Sequence, residues 1–166
     1  MTRMHATDLP PAEAAAARLT RAGLRHTRQR LSLARLLFRG QDRHVTAEQL
    51  HSEAKAAHLR VSLATVYNTL HQFTRAGLLR EVVVEPGRSY FDTNIHDHHH
   101  FYFEDDGELR DIPAQEVRLA ALPPAPAGTE VDRVDVVVRL RRAGKRGSGD
   151  SVADETAADE TAPKRN

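Results

Sequence analysis

The chain has no cysteine and no tryptophan in 166 residues, and aromatic side chains of all kinds make up only 5% of it. Without cysteine there is no disulfide, no thiolate zinc site and no thiol nucleophile, so any metal ion must be held by nitrogen and oxygen. The same lack fits a reducing compartment. Long apolar runs are missing too: no stretch approaches the roughly 20 residues of a membrane-spanning helix. The opening "MTRMHATDLPPAEAAAARL" has no continuous apolar centre of the kind a signal peptide needs. These absences lead us to expect a soluble, cytoplasmic chain with no membrane partner. With 40% hydrophobic residues it can build one medium core or two small ones, but not one large enzyme domain.

What is present is unevenly distributed. The net charge is only +1, yet residues 15–91 carry 13 Lys and Arg against 5 Asp and Glu, while residues 92–136 carry 3 against 11. A basic half of this kind usually faces a polyanion, most often nucleic acid, with a merely solvated surface as the alternative. The acidic half suits cations or a basic partner.

Helical periodicity fills the basic half. "PAEAAAARLTRA" is alanine-rich and ends at Gly23. Thr27 is placed to cap a second helix with Leu31, Ala34, Leu37 and Phe38 inward, and "TAEQ" at 46–49 is a capping-box pattern opening a third with Leu50, Ala54 and Ala57 inward. Ser62 caps a fourth, "SLATVYNTLHQFTRAG", with Leu63, Val66, Leu70 and Phe73 on one face and Gly77 at its end. The period then changes: "LLREVVVE" and "RSYFDT" are β-rich runs joined by Pro86 and Gly87, a hairpin. Helices followed by a two-stranded wing describe a winged helix-turn-helix, in which the fourth helix would read DNA.

The second half predicts a strand "HHHFYFE", a turn "DDGE", a strand "LRDIP", a short helix "AQEVRLAAL", a linker "PPAPAG" and a strong strand "VDRVDVVVRL". The expected fold class is α+β: an N-terminal winged helix-turn-helix over 1–91, then a small α/β dimerisation and sensing domain over 92–142. Residues 143–166 repeat "ADETA" and offer almost nothing to bury, which predicts a disordered tail.

On the fourth helix Ser62, Ala64, Thr65, Tyr67 and Asn68 stay outside the main apolar stripe and can face a groove. Asn suits adenine, Thr and Tyr suit phosphate or a thymine methyl, and Arg25, Arg28 and Arg30 suit the backbone of double-stranded DNA. Tyr67 can equally be part of the core, and Asn68 merely solvated. In "HDHHHF", an extended strand would place His98 and His100 on one face and His99 with Phe101 on the other, so two separate sites are open. His5, His26, His51, His58 and His71 receive no ligand role.

Several long motifs in order, "GLRHTRQRLSLARLL", "HVTAEQLH", "SLATVYNTLHQFTRAGLL", "GRSYFD" and the histidine run, resemble the ferric uptake regulator family of metal-sensing dimeric repressors over residues about 17–140. "YNTLHQF", "DHHHFYFEDDGELRDIP" and "VDVVVRL" look most like its iron response regulator branch. The resemblance implies a homodimer on an inverted-repeat operator and an inter-domain metal site at His44, Asp92, His98 and His100, suited to Fe²⁺, Zn²⁺ or Mn²⁺. It also implies that the run His98, His99 and His100 can take part in binding haem, with His99 the candidate axial ligand.

There are departures. Phe103 and Asp106 stand where most members carry a cysteine pair for a structural zinc, so that zinc is not expected. Val134 replaces a late histidine of a further regulatory site, and the cysteine-containing haem motif of some iron response regulators is absent. Two rival readings remain at this level. One is a DNA-binding protein with a purely structural metal; the other is a His/Asp metallohydrolase whose general base would have to come from Glu104–Asp106.

Overall fold

The structure is a computed structural model and describes residues 11–143. The anticipated disordered tail, apart from Ala143, and His5 lie outside them. Four helices open the chain: α1 (Pro11–Arg21), α2 (Arg28–Leu37), α3 (Ala47–Ala56) and α4 (Leu63–Arg75). Each of the last three starts where a hydroxyl can accept a backbone N–H that the first turn leaves unpaired. Thr27 accepts from Arg30, Ser62 from Thr65, and Thr46 with Gln49 closes a complete capping box.

Three strands complete the first unit. β1 (His44–Val45), β2 (Arg80–Glu85) and β3 (Arg88–Asp92) form a sheet in the order β1-β3-β2, all antiparallel. The turn between β2 and β3 rests on Gly87 at φ +78°, a conformation that glycine adopts without a Cβ clash. Beneath lies one apolar core of Leu19, Leu33, Leu37, Leu50, Val66, Leu70, Phe73 and Phe91, none more than 1% exposed. Burying such side chains contributes about 1.5–3 kcal/mol apiece. The inward face of α2 differs from expectation: Leu33 and Leu36 are buried alongside Ala34 and Leu37, whereas Leu31 and Phe38 are only half-buried. Ala57 is exposed instead of inward, because α3 ends at Ala56 and His58 turns the chain with φ +56°.

The second unit is a sheet in the order β5-β4-β6, built from β4 (His98–Phe103), β5 (Glu108–Pro113) and β6 (Val137–Leu140), with β4 antiparallel to β5 and parallel to β6. The expected helix over "AQEVRLAAL" is not there. Only a 3₁₀ turn, Ala114–Glu116, forms, and the residues after it lie exposed with no core to bury a helical face. "VDRVDVVVRL" is likewise strand only at Val137–Leu140, the four residues that pair with His100–Phe103 of β4. A second, smaller core of Val82, Val84, Tyr90, Tyr102 and Leu109 joins the two sheets. The anticipated division at 91/92 falls on the last residue of β3, so Asp92 belongs by pairing to the first sheet.

Candidate metal centre and nucleic-acid face

Strand register assembles the centre. β1 and β3 pair His44 directly with Asp92, and directly opposed residues project from the same face of a sheet. In β4, side chains alternate buried and half-buried along the strand, so His98, His100 and Tyr102 share the inner face while His99, Phe101 and Phe103 share the other. β4 and β5 pair His100 with Asp111. The result is five side chains from both sheets whose donor atoms lie within 4.8 Å of one another: His44, Asp92, His98, His100 and Asp111. The first four are those singled out in the sequence. Asp111 was not; the signal that could have found it is its place opposite His100 in a hairpin turning at Asp105–Gly107.

The geometry inside the cluster is unusually crowded for polar groups. His98 Nε2 lies 2.8 Å from Asp92 Oδ2 and 2.9 Å from His100 Nε2, and His100 Nε2 lies 3.3 Å from the same carboxylate oxygen. His44 Nε2 stands 3.4 Å from Asp92 Oδ2 and 2.8 Å from Asp111 Oδ1. Despite that last distance, His44 Nε2 and Asp111 Oδ1 are both buried and neither has a hydrogen-bond partner among the described residues, because the angle is wrong. Burial favours a neutral His44, but the Asp92 and Asp111 carboxylates outweigh it and raise its pKa. Burial likewise opposes the charge on Asp92, and the hydrogen bond from His100 together with the nearby His44 ring overcomes it, holding Asp92 well below the usual carboxylate range. Two buried atoms without a partner, His44 Nε2 and Asp111 Oδ1, at the point where the other imidazoles converge are what a cation would satisfy. Three imidazole nitrogens and two carboxylates, with no thiolate, fit Fe²⁺, Mn²⁺ or Zn²⁺.

The sequence pattern of the ferric uptake regulator family matches residues 21–130. The chain belongs to the ferric uptake regulator family. It is 33% identical over 100 residues to the peroxide-responsive repressor PerR of Staphylococcus epidermidis, covering 60% of this chain and 66% of that one, and equally to that of Staphylococcus aureus, where 67% is covered. The chain thus spans about two thirds of the length of these relatives. Among solved structures, it is similar to the ferric uptake regulator of Pseudomonas aeruginosa with manganese: 28% identical, TM-score 0.60, covering 78% of this chain and 98% of the other. The α+β fold of a family regulator, with helical and sheet units in this order, is therefore shared.

Two adjoining clefts share Thr27 and Gln29. One brings Arg30 together with Thr65, Asn68 and Gln72; the other sets Arg28 beside His58–Val61, which includes Arg60. Arg25, Ser62, Ala64 and Asn68 are exposed nearby in the chain. Not all are available as expected. The Ser62 hydroxyl is spent on its cap, and Arg30 is held by Gln72 Oε1 at 3.0 Å and by the Arg25 carbonyl. Tyr67 is half core: its ring packs against the hydrophobic cluster, and its hydroxyl donates to Glu48 Oε1 at 2.6 Å. Glu48, Gln29 and Arg60 are members of this face that periodicity alone did not reveal.

The remaining sequence candidates separate cleanly. His99 points away from the centre and is half-buried, and the Val136 N–H donates to its Nδ1 at 3.3 Å. In the neutral ring that bond leaves the proton on Nε2, so neither ring nitrogen offers a free lone pair while the bond is kept. His98, His99 and His100 are thus not gathered on one face. Glu104 and Asp106, proposed bases of the hydrolase reading, are ion-paired with Arg139 and Arg141 and with Arg142, and these bonds lower their pKa values. Among the described residues no helix is long and apolar enough to cross a membrane.

Proposed function

We propose that the chain is a divalent-metal-responsive transcription regulator that binds double-stranded DNA as a homodimer on an inverted repeat. Residues 1–91 act as the DNA-binding unit, and 92–142 as the unit for dimerisation and sensing, in the cytoplasm. The observation that carries this reading is the centre's position: its five donors come from β1 and β3 of the first sheet and from β4 and β5 of the second. A bound ion supplies fixed positive charge at the junction. His44 and Asp92 then tie the helical unit to His98, His100 and Asp111, which sets how the α4 helices of two copies are presented. The manganese carried by the Pseudomonas aeruginosa relative supports a divalent ion here. Arg25, Arg28 and Arg30 are assigned to phosphates, and Ser62, Ala64, Thr65, Tyr67 and Asn68 to the groove-facing helix.

Within this function iron is the metal that the sequence motifs favour, through the iron response branch. Haem is its narrower form and requires His99 to release the Val136 N–H. A second reading is favoured by the curated relatives, which are named peroxide-responsive repressors. One titration separates them: operator binding by metal-free, Mn²⁺-loaded, Fe²⁺-loaded and haem-treated protein, with and without hydrogen peroxide. Metal-dependent binding supports the general proposal. Its loss on haem addition marks the iron response form, and its loss with peroxide in the Fe²⁺ but not the Mn²⁺ protein marks the peroxide form. Equal binding in every state contradicts all three.

A further inference from the structure

Arg80 opens β2 and is only 6% exposed, an expensive place for a charge that cannot be neutralised by losing its proton. It stands directly opposite Asp92 in the sheet, and Asp92 stands opposite His44, so Arg80, Asp92 and His44 form one row across β2, β3 and β1 on a single face. The hydrogen bonds of its guanidinium, however, all leave its own sheet. Nη1 donates to the His96 carbonyl and lies 3.1 Å from His98 Nδ1, while Nη2 donates to Asp135 Oδ1 at 2.5 Å. Nε, also buried, has no acceptor among the described residues. One guanidinium therefore touches the loop before β4, a histidine of the centre, and the residue two positions before β6.

We propose that Arg80 is a positioning residue that couples the state of the His/Asp centre to the chain entering β6, through His98 on one side and Asp135 on the other. This rests on the reading of the centre as a metal site. The means is a choice forced on His98. Its Nδ1 lies 2.7 Å from the His96 carbonyl, which only accepts, and 3.1 Å from Arg80, which only donates, so it serves one at a time. With the ring proton on Nδ1 and bonded to His96, Nε2 turns a lone pair to the centre. With Nδ1 bare and bonded to Arg80, Nε2 carries the proton toward Asp92, 2.8 Å away. A cation at Nε2 selects the first arrangement, which removes one of the bonds that hold the guanidinium. Arg80 then reaches only the His96 carbonyl and Asp135, and its fork is free to shift with the β6 approach. A ligand moves such an equilibrium only by its different affinity for the two arrangements, and this is where the difference lies.

The test uses the full chain as wild type, Arg80→Gln and Asp135→Asn, with Mn²⁺ as probe ion and a duplex selected from a random library by the Mn²⁺-loaded wild type. Three quantities are read: Mn²⁺ per chain, the ratio of duplex affinities with and without Mn²⁺, and the effect of Mn²⁺ on amide exchange at Val137–Leu140. The inference predicts that both variants keep one Mn²⁺ per chain while the affinity ratio falls toward one, by about tenfold for a coupling of ordinary size. The Mn²⁺ effect on β6 exchange should disappear with it. Asp135→Asn, at a partly exposed side chain, carries the test if Arg80→Gln does not fold. A wild-type ratio unchanged in the variants overturns the inference and leaves the metal reading standing. Loss of Mn²⁺ in both variants makes Arg80 a prop of the centre and overturns it as well. A wild-type ratio of one overturns the inference together with the metal-responsive reading, and the Mn²⁺ content then tells whether a structural metal site remains.

Discussion

His44 and Asp92 are cross-strand partners between β1 and β3, and His44 Nε2 also sits 2.8 Å from Asp111 Oδ1 on the neighbouring sheet without forming a hydrogen bond to it. A two-residue strand therefore adds one contact to the junction between the helical unit and the β4–β5 hairpin, beside those of β2 and β3. The account predicts that replacing His44, Asp92, His98 or His100 by Ala each removes about one bound metal per chain, because a shell of this size seldom tolerates the loss of a ligand. Asp111→Ala should weaken binding in the same assay, while His26→Ala, at an exposed position, should not. Full metal content after elemental analysis of the His98 and His100 variants would sink the assignment.

The pH response should have opposite signs in the two states. In the metal-free protein His44 has a raised pKa, so its pairing with Asp92 and Asp111 stabilises fully below the unfolded value of about 6.5 and is lost as pH rises through the raised folded value. Asp92 is depressed, so its contribution is present above the unfolded carboxylate value of about 3.9 and disappears as pH falls through the folded one. Metal binding requires His44 to give up its proton, so metal affinity should weaken as pH falls from about 7.5 to 6. Metal titrations across this range check His44, and thermal melts carried down into the acid range check Asp92; metal affinity that does not change would exclude His44 as a ligand.

At the nucleic-acid face the Tyr67–Glu48 bond sets a competition. Glu48 holds the tyrosine hydroxyl and brings a carboxylate close to a surface assigned to phosphates. Glu48→Gln should raise duplex affinity for both specific and random DNA, whereas Tyr67→Ala should weaken specific binding more than random. The logarithm of affinity should fall with that of salt concentration by about 0.9 per phosphate neutralised. Equal losses on both DNAs for Tyr67→Ala would make it a packing residue only.

Helix caps and strand alternation were legible in the sequence, and His44, Asp92, His98 and His100 meet as the family resemblance implied. Thr27, Ser62 and the Thr46–Gln49 box cap the helices expected of them because capping needs only three or four adjacent residues. The alternation of His98, His99 and His100 follows from strand geometry alone. Glu48 and Arg80 escaped because each is brought to its site by packing between separate segments, α3 on α4 and β2 on the approach to β6, whereas Asp111 escaped because its place opposite His100 depends on the exact register of the β4–β5 hairpin. "AQEVRLAAL" misled for the converse reason, since its helical spacing has no buried surface to meet within one copy.

Stability should depend on the helical core more than on the surface ion pairs. Phe73→Ala empties a fully buried site beside Phe38 and should cost about 3–5 kcal/mol. Thr46→Ala breaks the capping box and should cost about 0.5–2 kcal/mol. Arg142→Ala, which removes an exposed pair with Asp106, should change little. Denaturant unfolding of the three variants ranks them; a larger loss for Arg142→Ala than for Thr46→Ala would contradict this ordering.

The most direct measurement is duplex binding by anisotropy as Mn²⁺ is added, for the wild type and for His98→Ala side by side. The wild-type affinity should change with Mn²⁺ at one ion per chain, and the His98→Ala affinity should stay at its metal-free value throughout. A wild-type affinity indifferent to Mn²⁺, or a His98→Ala protein that responds as the wild type does, would contradict the metal-responsive reading.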